Sequence, residues 1–301
     1  MGARGAGTGI GTGVAYSVGA YFIWGLLPLW FHLLRKASPL EVVACRTLFA
    51  LPVALAMAAA LGQLGLIRSV LVNRRVLAPL CLSAGLILVN WTVYVIAVQQ
   101  GHALAASLGY YINPLLNVLL GTVFLGERLS GRQWAAVTLA GTAVALLAWG
   151  ARDMVWIGVG LAGSFSFYAL VRKLVPVAPL PGLAVETIVL APVALGYMAW
   201  AGSGDHLALG GEWRLSLLLA SSGIITAFPL FLFAEAARRL DFSTLGFIQY
   251  ISPTLVFLIS VFILHEPLRP LQLGCFALIW AGVGLYVWDL AAQHRARGRA
   301  G

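Results

Sequence analysis

The two halves of this chain are copies of one another. Laying Pro114 on Pro253, an offset of 139 residues, brings Tyr111, Ile112, Leu116, Leu119, Leu125, Glu127, Leu129, Gln133, Leu139, Val144, Leu146 and Trp149 onto Tyr250, Ile251, Leu255, Leu258, Leu264, Glu266, Leu268, Gln272, Leu278, Val283, Leu285 and Trp288 without a gap. A second anchor, Pro52-Val53-Ala54-Leu55 against Pro192-Val193-Ala194-Leu195, lies at offset 140. Both copies must take up the same arrangement and then pack together, and the solvent decides how.

That solvent is lipid. The 301 residues are 61% hydrophobic and 10% charged, with a mean hydropathy of +0.93, whereas a water-soluble domain carries about 25% charge. A bilayer core needs roughly 20 apolar helical residues per crossing. Runs of that order occur near 13 to 34, 40 to 61, 76 to 99, 104 to 125, 133 to 150, 156 to 175, 183 to 201, 214 to 234, 243 to 264 and 271 to 291. They are continuous rather than alternating, which excludes barrel strands. The expected fold is an all-α integral membrane protein with ten transmembrane helices, built as five-span repeats over 13–150 and 151–291. A flexible tail (1–12) precedes them, a basic tail (292–301) follows, and the first run, too long for a signal peptide, is read as a retained span. Five is odd, so the second repeat enters the membrane from the opposite face. Inverted repeats meeting around a midplane cavity are a transporter architecture.

The net charge of +9 raises the question of nucleic acid, and its placement answers it. With the N-terminus inside, the inner segments hold Arg4, Arg68, Arg74, Arg75, Arg128, Arg132, Arg172, Lys173, Arg238, Arg239, Arg295, Arg297 and Arg299. The outer ones hold Arg35, Lys36, Arg152, Arg214 and Arg269. This bias puts both termini in the cytoplasm and reports orientation and attraction to anionic lipid rather than nucleic-acid binding. Cys45, Cys81 and Cys275 fall within spans without paired spacing and read as packing residues. His32, His102, His206, His265 and His294 are scattered near helix ends. No phosphate loop or metal-spaced cluster is present, so no cofactor, metal or catalytic group is expected, and transport would draw on a gradient.

Polar groups inside spans carry the functional signal. Ser107, Tyr110, Asn113 and Asn117 share one helical face, and Gln249 and Ser252 form its counterpart in the second half. Facing lipid would cost several kcal/mol, so these faces either line a cavity or bond neighbouring helices. Asn90 poses the same choice. Pro28, Pro114 and Pro253 are expected helix breaks, the last two at equivalent places and lining one shared cavity. Trp24 and Tyr168 belong to aromatic clusters that either stack a flat solute or fill the core. Arg46, about six positions into its span, is the costliest residue. It is either a determinant of anionic substrate binding or gating, or one arm of a salt bridge with Glu41, with an acceptor on another helix, or with its repeat equivalent Glu186. Small residues, Ala136, Ala140, Gly141 and Ala145 against Gly274, Ala277, Ala281 and Gly282, predict close packing between the halves or between two copies in a homodimer.

The strings Ala20-Tyr-Phe-Ile-Trp-Gly25, Ser107-Leu-Gly-Tyr-Tyr-Ile-Asn-Pro114, Leu125-Gly-Glu-Arg128, Tyr168-Ala-Leu-Val-Arg-Lys173, Glu186-Thr187 and Thr244-Leu-Gly-Phe-Ile-Gln-Tyr-Ile-Ser-Pro253 together resemble the RarD type of permease, in the EamA branch of the drug/metabolite transporter superfamily. The resemblance spans roughly residues 13 to 291. It implies ten spans from duplicated halves, a bacterial inner-membrane location and secondary transport of a small organic solute. One departure is Cys45, where this type usually has a histidine before the arginine; proton coupling through that histidine is therefore not carried over. The expected lining is Trp24, Arg46, Asn90, Tyr110, Asn113, Tyr168, Gln249 and Ser252. The rival reading is a non-transporting structural or sensor protein of the same fold.

Overall fold

The computed structural model of the chain describes residues 3–99, 103–150, 155–204, 207–263 and 270–300. His102, Arg152, His206, Leu264, His265, Glu266, Leu268 and Arg269 lie outside the described residues, as do the side chains of Arg4, Ser107, Gln272, His294, Arg295, Arg297 and Arg299. The described residues form helices and no strand: α1 (Ala3–Leu33), α2 (Pro39–Ala60), α3 (Leu64–Val72), α4 (Arg74–Gln99), α5 (Ala103–Phe124), α6 (Gly131–Gly150), α7 (Val155–Leu174), α8 (Pro179–Gly202), α9 (Trp213–Arg239), α10 (Phe242–Gln249), α11 (Ile251–Phe262) and α12 (Pro270–Ala300). Helix α1 reaches back to Ala3 and α12 forward to Ala300, so helix continues into both tails.

The sequence offsets reappear in the backbone. Helices α4, α5 and α6 begin at Arg74, Ala103 and Gly131; α9, α10 and α12 begin at Trp213, Phe242 and Pro270, each 139 residues later. Helices α2 and α8 begin at Pro39 and Pro179, 140 apart. A proline in the first turn starts both, since its missing N–H would have no helical partner there; Ser38 Oγ also accepts from Glu41 N at 3.2 Å as an N-cap.

Packing is symmetric under exchange of the halves. Helix α1 lies along α9 and α10–α11, while α7 lies along α4 and α5; α2 packs on α8, and α6 on α12. The small residues serve this last contact. Ala136 and Ala140 are fully buried, and a Cβ at Gly282 would stand 2.9 Å from the Ala136 carbonyl oxygen.

Among the described residues six stretches are long and apolar enough to cross a membrane: Gly11–Leu33, Pro39–Ala60, Arg74–Ala97, Pro179–Gly202, Trp213–Arg239 and Phe242–Ile259. Shorter apolar stretches run over Tyr110–Phe124 and Leu273–Asp289. The exterior is apolar, as a lipid-facing surface must be. Trp149, Trp156, Trp200 and Trp213, each at least 70% exposed, stand at the helix ends nearest the α6–α7 and α8–α9 connections, where aromatic belts form.

Of the three expected breaks only one occurs. The stretch from 242 to 262 divides at Tyr250, between α10 and α11, because Pro253 has no N–H to offer the Gln249 carbonyl. Helices α1 and α5 run unbroken through Pro28 and Pro114; the helical bonds on either side outweigh the single one each proline removes. At Pro114 the second half comes close. A Cβ at Gly246 would lie 2.8 Å from the Pro114 carbonyl oxygen and 3.1 Å from Asn117 Cβ, so α10 can approach α5 only where it has no side chain. Gly246→Val should therefore destabilise the purified protein by about 1–3 kcal/mol, read as a lower melting temperature. Gly141→Ala, with nothing within 4 Å of the added carbon, should leave it unchanged or slightly raised.

Candidate functional site

The polar faces of α5 and α10–α11 turn inward. Asn113, Asn117, Gln249 and Ser252 are each at most 3% exposed. Asn117 Nδ2 donates to Gln249 Oε1 at 2.9 Å, joining the halves at the point where Gly246 lets the backbones meet. Beside this bond lies a cavity walled by Trp24, Arg46, Asn90, Tyr110, Asn113, Gln249 and Ser252, together with Tyr21, Trp91, Tyr94, Phe165 and the apolar Leu27, Ile87, Leu161 and Leu230. The wall therefore draws on α1, α2, α4, α5, α7, α9, α10 and α11, elements of both halves. Its volume is about 40 Å³, room for roughly three waters at ~10–15 Å³ each. An organic solute must widen it.

Two aromatic groups flank this space. Trp24 meets Tyr21 at 5.5 Å, and Phe165 and Phe233 each at 5.6 Å. Tyr94 meets Tyr110 at 5.4 Å and Phe31 at 5.7 Å. Tyr168, expected in the wall, stands one layer behind it: it is buried against Phe165 and stacked on Phe233 at 6.3 Å. Pro28, Pro114 and Pro253 are likewise not among the wall residues. Asn90 is half-buried, and its Nδ2 donates to Leu161 O at 2.9 Å and Ser164 Oγ at 3.0 Å. It both lines the space and ties α4 to α7.

Arg46 is 4% exposed. Its Nε donates to Thr226 Oγ1 at 3.0 Å, and the guanidinium lies 4.7 Å from the Trp91 ring centroid and 5.6 Å from that of Phe31. Neither acid considered as its partner reaches it. Glu41 accepts from Leu209 N at 2.7 Å and Ala208 N at 3.1 Å, closing the loop between α8 and α9. Glu186 accepts from Ser83 Oγ at 2.5 Å and stands 3.7 Å from Arg172 Nε. Sequence reasoning missed Trp91, Tyr94 and Thr226 as parts of this arrangement. Asn90, Trp91 and Tyr94 follow one another around a single helical turn, a signal that was available. Thr226 sits in an apolar run of α9 and gave none. Among the described residues no group of three or more His, Cys, Asp or Glu stands close enough to hold a metal ion.

The EamA-like transporter family model matches twice, over residues 11–149 and 154–288, once for each half. The chain belongs to the EamA-like transporter family. It is 41% identical over 290 residues to Protein RarD of Streptomyces exfoliatus, covering 96% of this chain and 92% of that protein. It is 38% identical over 284 residues to Protein RarD of Escherichia coli K12, covering 94% and 96%, and 40% identical over 291 residues to an uncharacterized transporter of Vibrio cholerae, covering 95% of each. A protein crystal structure superposes with a TM-score of 0.69 at 20% identity, covering 91% of this chain and 96% of that one, which shows a shared fold. The chain is thus a multi-pass membrane protein of the RarD kind within the EamA-like family, and the Vibrio cholerae relative carries a transporter name.

In this EamA-like chain the Arg172–Glu186 pair joins α7 to α8. Both side chains are at most 3% exposed, and Arg172 Nη2 also donates to Pro179 O at 3.0 Å, so the pair fixes the turn from α7 to α8. Removing one charge strands the other. Glu186→Ala should destabilise by about 3–5 kcal/mol, whereas Arg172→Met with Glu186→Leu should cost markedly less; thermal melts of the detergent-purified variants compare the two.

Proposed function

We propose that the protein is a secondary transporter that carries a small organic solute by alternating access, with ten spans in two inverted five-span halves rocking about the central cavity. The observation that carries this reading is the cavity itself: an aromatic-walled space deep in the bundle, with a few polar groups set into it, to which both halves contribute and in which Asn113 and Gln249 stand at the junction. Amides orient polar groups of a solute, and the rings around Trp24 hold its apolar part. Residence in a bacterial inner membrane with both termini inside completes the reading, supported by the family and by the placement of the basic residues.

At about 40 Å³ the cavity belongs to a closed state, and the ties at its two ends differ. At the end nearest the α9–α10 connection, Glu127 accepts from Phe242 N at 2.5 Å, Ser243 N at 2.9 Å and Ser243 Oγ at 2.6 Å. Lys173 Nζ donates to Leu240 O at 2.5 Å and Ala237 O at 3.1 Å. At the opposite end, Glu41 accepts from Leu209 N at 2.7 Å and Ala208 N at 3.1 Å, Ser38 Oγ lies 2.9 Å from Tyr197 Oη, Trp30 Nε1 reaches Ser221 Oγ at 3.4 Å and the exposed Lys36–Glu212 pair spans 3.1 Å.

Counterflow in sealed proteoliposomes tests this against a protein that senses without moving anything, because only a carrier exchanges labelled solute across a closed bilayer. Asn113→Ala and Gln249→Ala should each slow exchange at least tenfold, about 1.4 kcal/mol, while eluting as folded protein; exchange equal to the unaltered chain in both would remove the cavity from the pathway. Single cysteines at Gly62 and Ser203, equivalent ends of α2 and α8, should label from opposite faces of oriented vesicles; labelling from one face would contradict inversion.

A further inference from the structure

The cavity contains a cation and no described group that balances it. Arg46 engages Nε with Thr226, and its guanidinium carbon lies over the Trp91 and Phe31 rings. It makes no ion pair with a described residue, and neither Asp nor Glu is in the wall. A guanidinium held among rings, with space for a few waters, is strongly stabilised by an anion of equal and opposite charge. Two other wall groups are unsatisfied. Asn113 Oδ1 and Tyr21 Oη are buried without a hydrogen-bond partner. An acceptor such as the Asn113 oxygen needs an N–H or O–H, which a halide or nitrate cannot provide.

We propose that the solute is a small organic monocarboxylate that pairs with Arg46, carries an N–H or O–H donor for Asn113, and places a flat apolar group against Trp24 and Phe165. A dianion would replace one unbalanced charge with another, and a cationic drug would add to it. This deepens the carrier reading and rests on it for the cavity's role in transport. A second feature favours an anion. At the end of the bundle nearest the α1–α2 and α8–α9 connections, a hollow of about 350 Å³ is lined by His32, Arg35, Lys36 and Arg214 against the single acid Glu212. Position 214 lies twelve residues up α9 from Thr226, about 18 Å at 1.5 Å per residue, so a basic vestibule stands over the α1–α9 seam that leads to Arg46 and raises the local concentration of anions.

The test measures binding of matched probes to the purified full chain by quenching of tryptophan fluorescence, with thermal shift as a second readout. The pairs are 4-hydroxyphenylacetate with 4-hydroxyphenylacetamide, and indole-3-acetate with indole-3-acetamide. Each acid should bind at least tenfold more tightly than its amide. Arg46→Gln should bring that ratio to about 1, and Arg46→Lys should keep part of it. The proposal is overturned if the amides bind as well as the acids in both pairs, if neither acid binds, or if the preference survives in Arg46→Gln. Should Arg46→Gln fail to elute as folded protein, the acid-to-amide ratios of the unaltered chain and of Arg46→Lys decide. Acid binding without any counterflow would refute the carrier reading and leave the anion site standing; counterflow of a neutral solute that no carboxylate inhibits would do the reverse.

Discussion

Hydrocarbon offers a polar side chain no hydrogen bonds, so each amide, hydroxyl and charge within the spans must find its partner inside the bundle. That requirement sets where the helices stand. The Asn117–Gln249 bond fixes α5 against α10, Asn90 binds α4 to α7, Arg46 reaches Thr226 from α2 to α9, and Glu186 gathers Ser83 of α4 and Arg172 of α7 onto α8. All but the Arg172–Glu186 contact join helices distant in sequence. Apolar packing alone discriminates weakly among arrangements in lipid, where leucine is as comfortable outside the bundle as within it.

Two of the polar groups left over after this pairing, those of Asn113 and Tyr21, border the cavity. Together with Arg46, which pairs with no described acid, they surround a space that a solute could enter only if the helices moved apart. The same constraint thus builds the fold and defines the cavity. Helix contacts at Gly246 and Gly25 show how tightly it is closed: a Cβ at Gly25 would lie 2.7 Å from the Leu255 side chain and 3.2 Å from Ser252 O. These close approaches flank the polar wall from either side of α10–α11, the one element in the region with a broken backbone.

Much of this was legible in the residues. The offsets of 139 and 140 located equivalent helix starts, because a duplicated sequence repeats its turn and cap signals at the same places. Polar periodicity on α5 and α10–α11 predicted which face turns inward, since lipid tolerates only one answer. What escaped were matters of partner choice. Helical phase cannot say that Glu186 meets Arg172 rather than Arg46, or that Glu41 closes a loop, because those pairings depend on how the helices are set side by side. Tyr168 shares the aromatic character of the wall, yet a layer's difference in depth places it behind Phe165. Proline content overstated the breaks: Pro28 and Pro114 sit within helices held on both sides, whereas α10 and α11 part at Tyr250.

The central claim is that this buried polar space is a solute pathway open in turn to each side of the membrane. Its most direct test is the reactivity of Ser252→Cys, in a background with Cys45, Cys81 and Cys275 replaced, toward a charged, membrane-impermeant thiosulfonate in vesicles of known orientation. The account predicts modification from both faces, slowed by bound solute. Modification by lipid-soluble maleimide alone, with no reaction from water on either side, would contradict it.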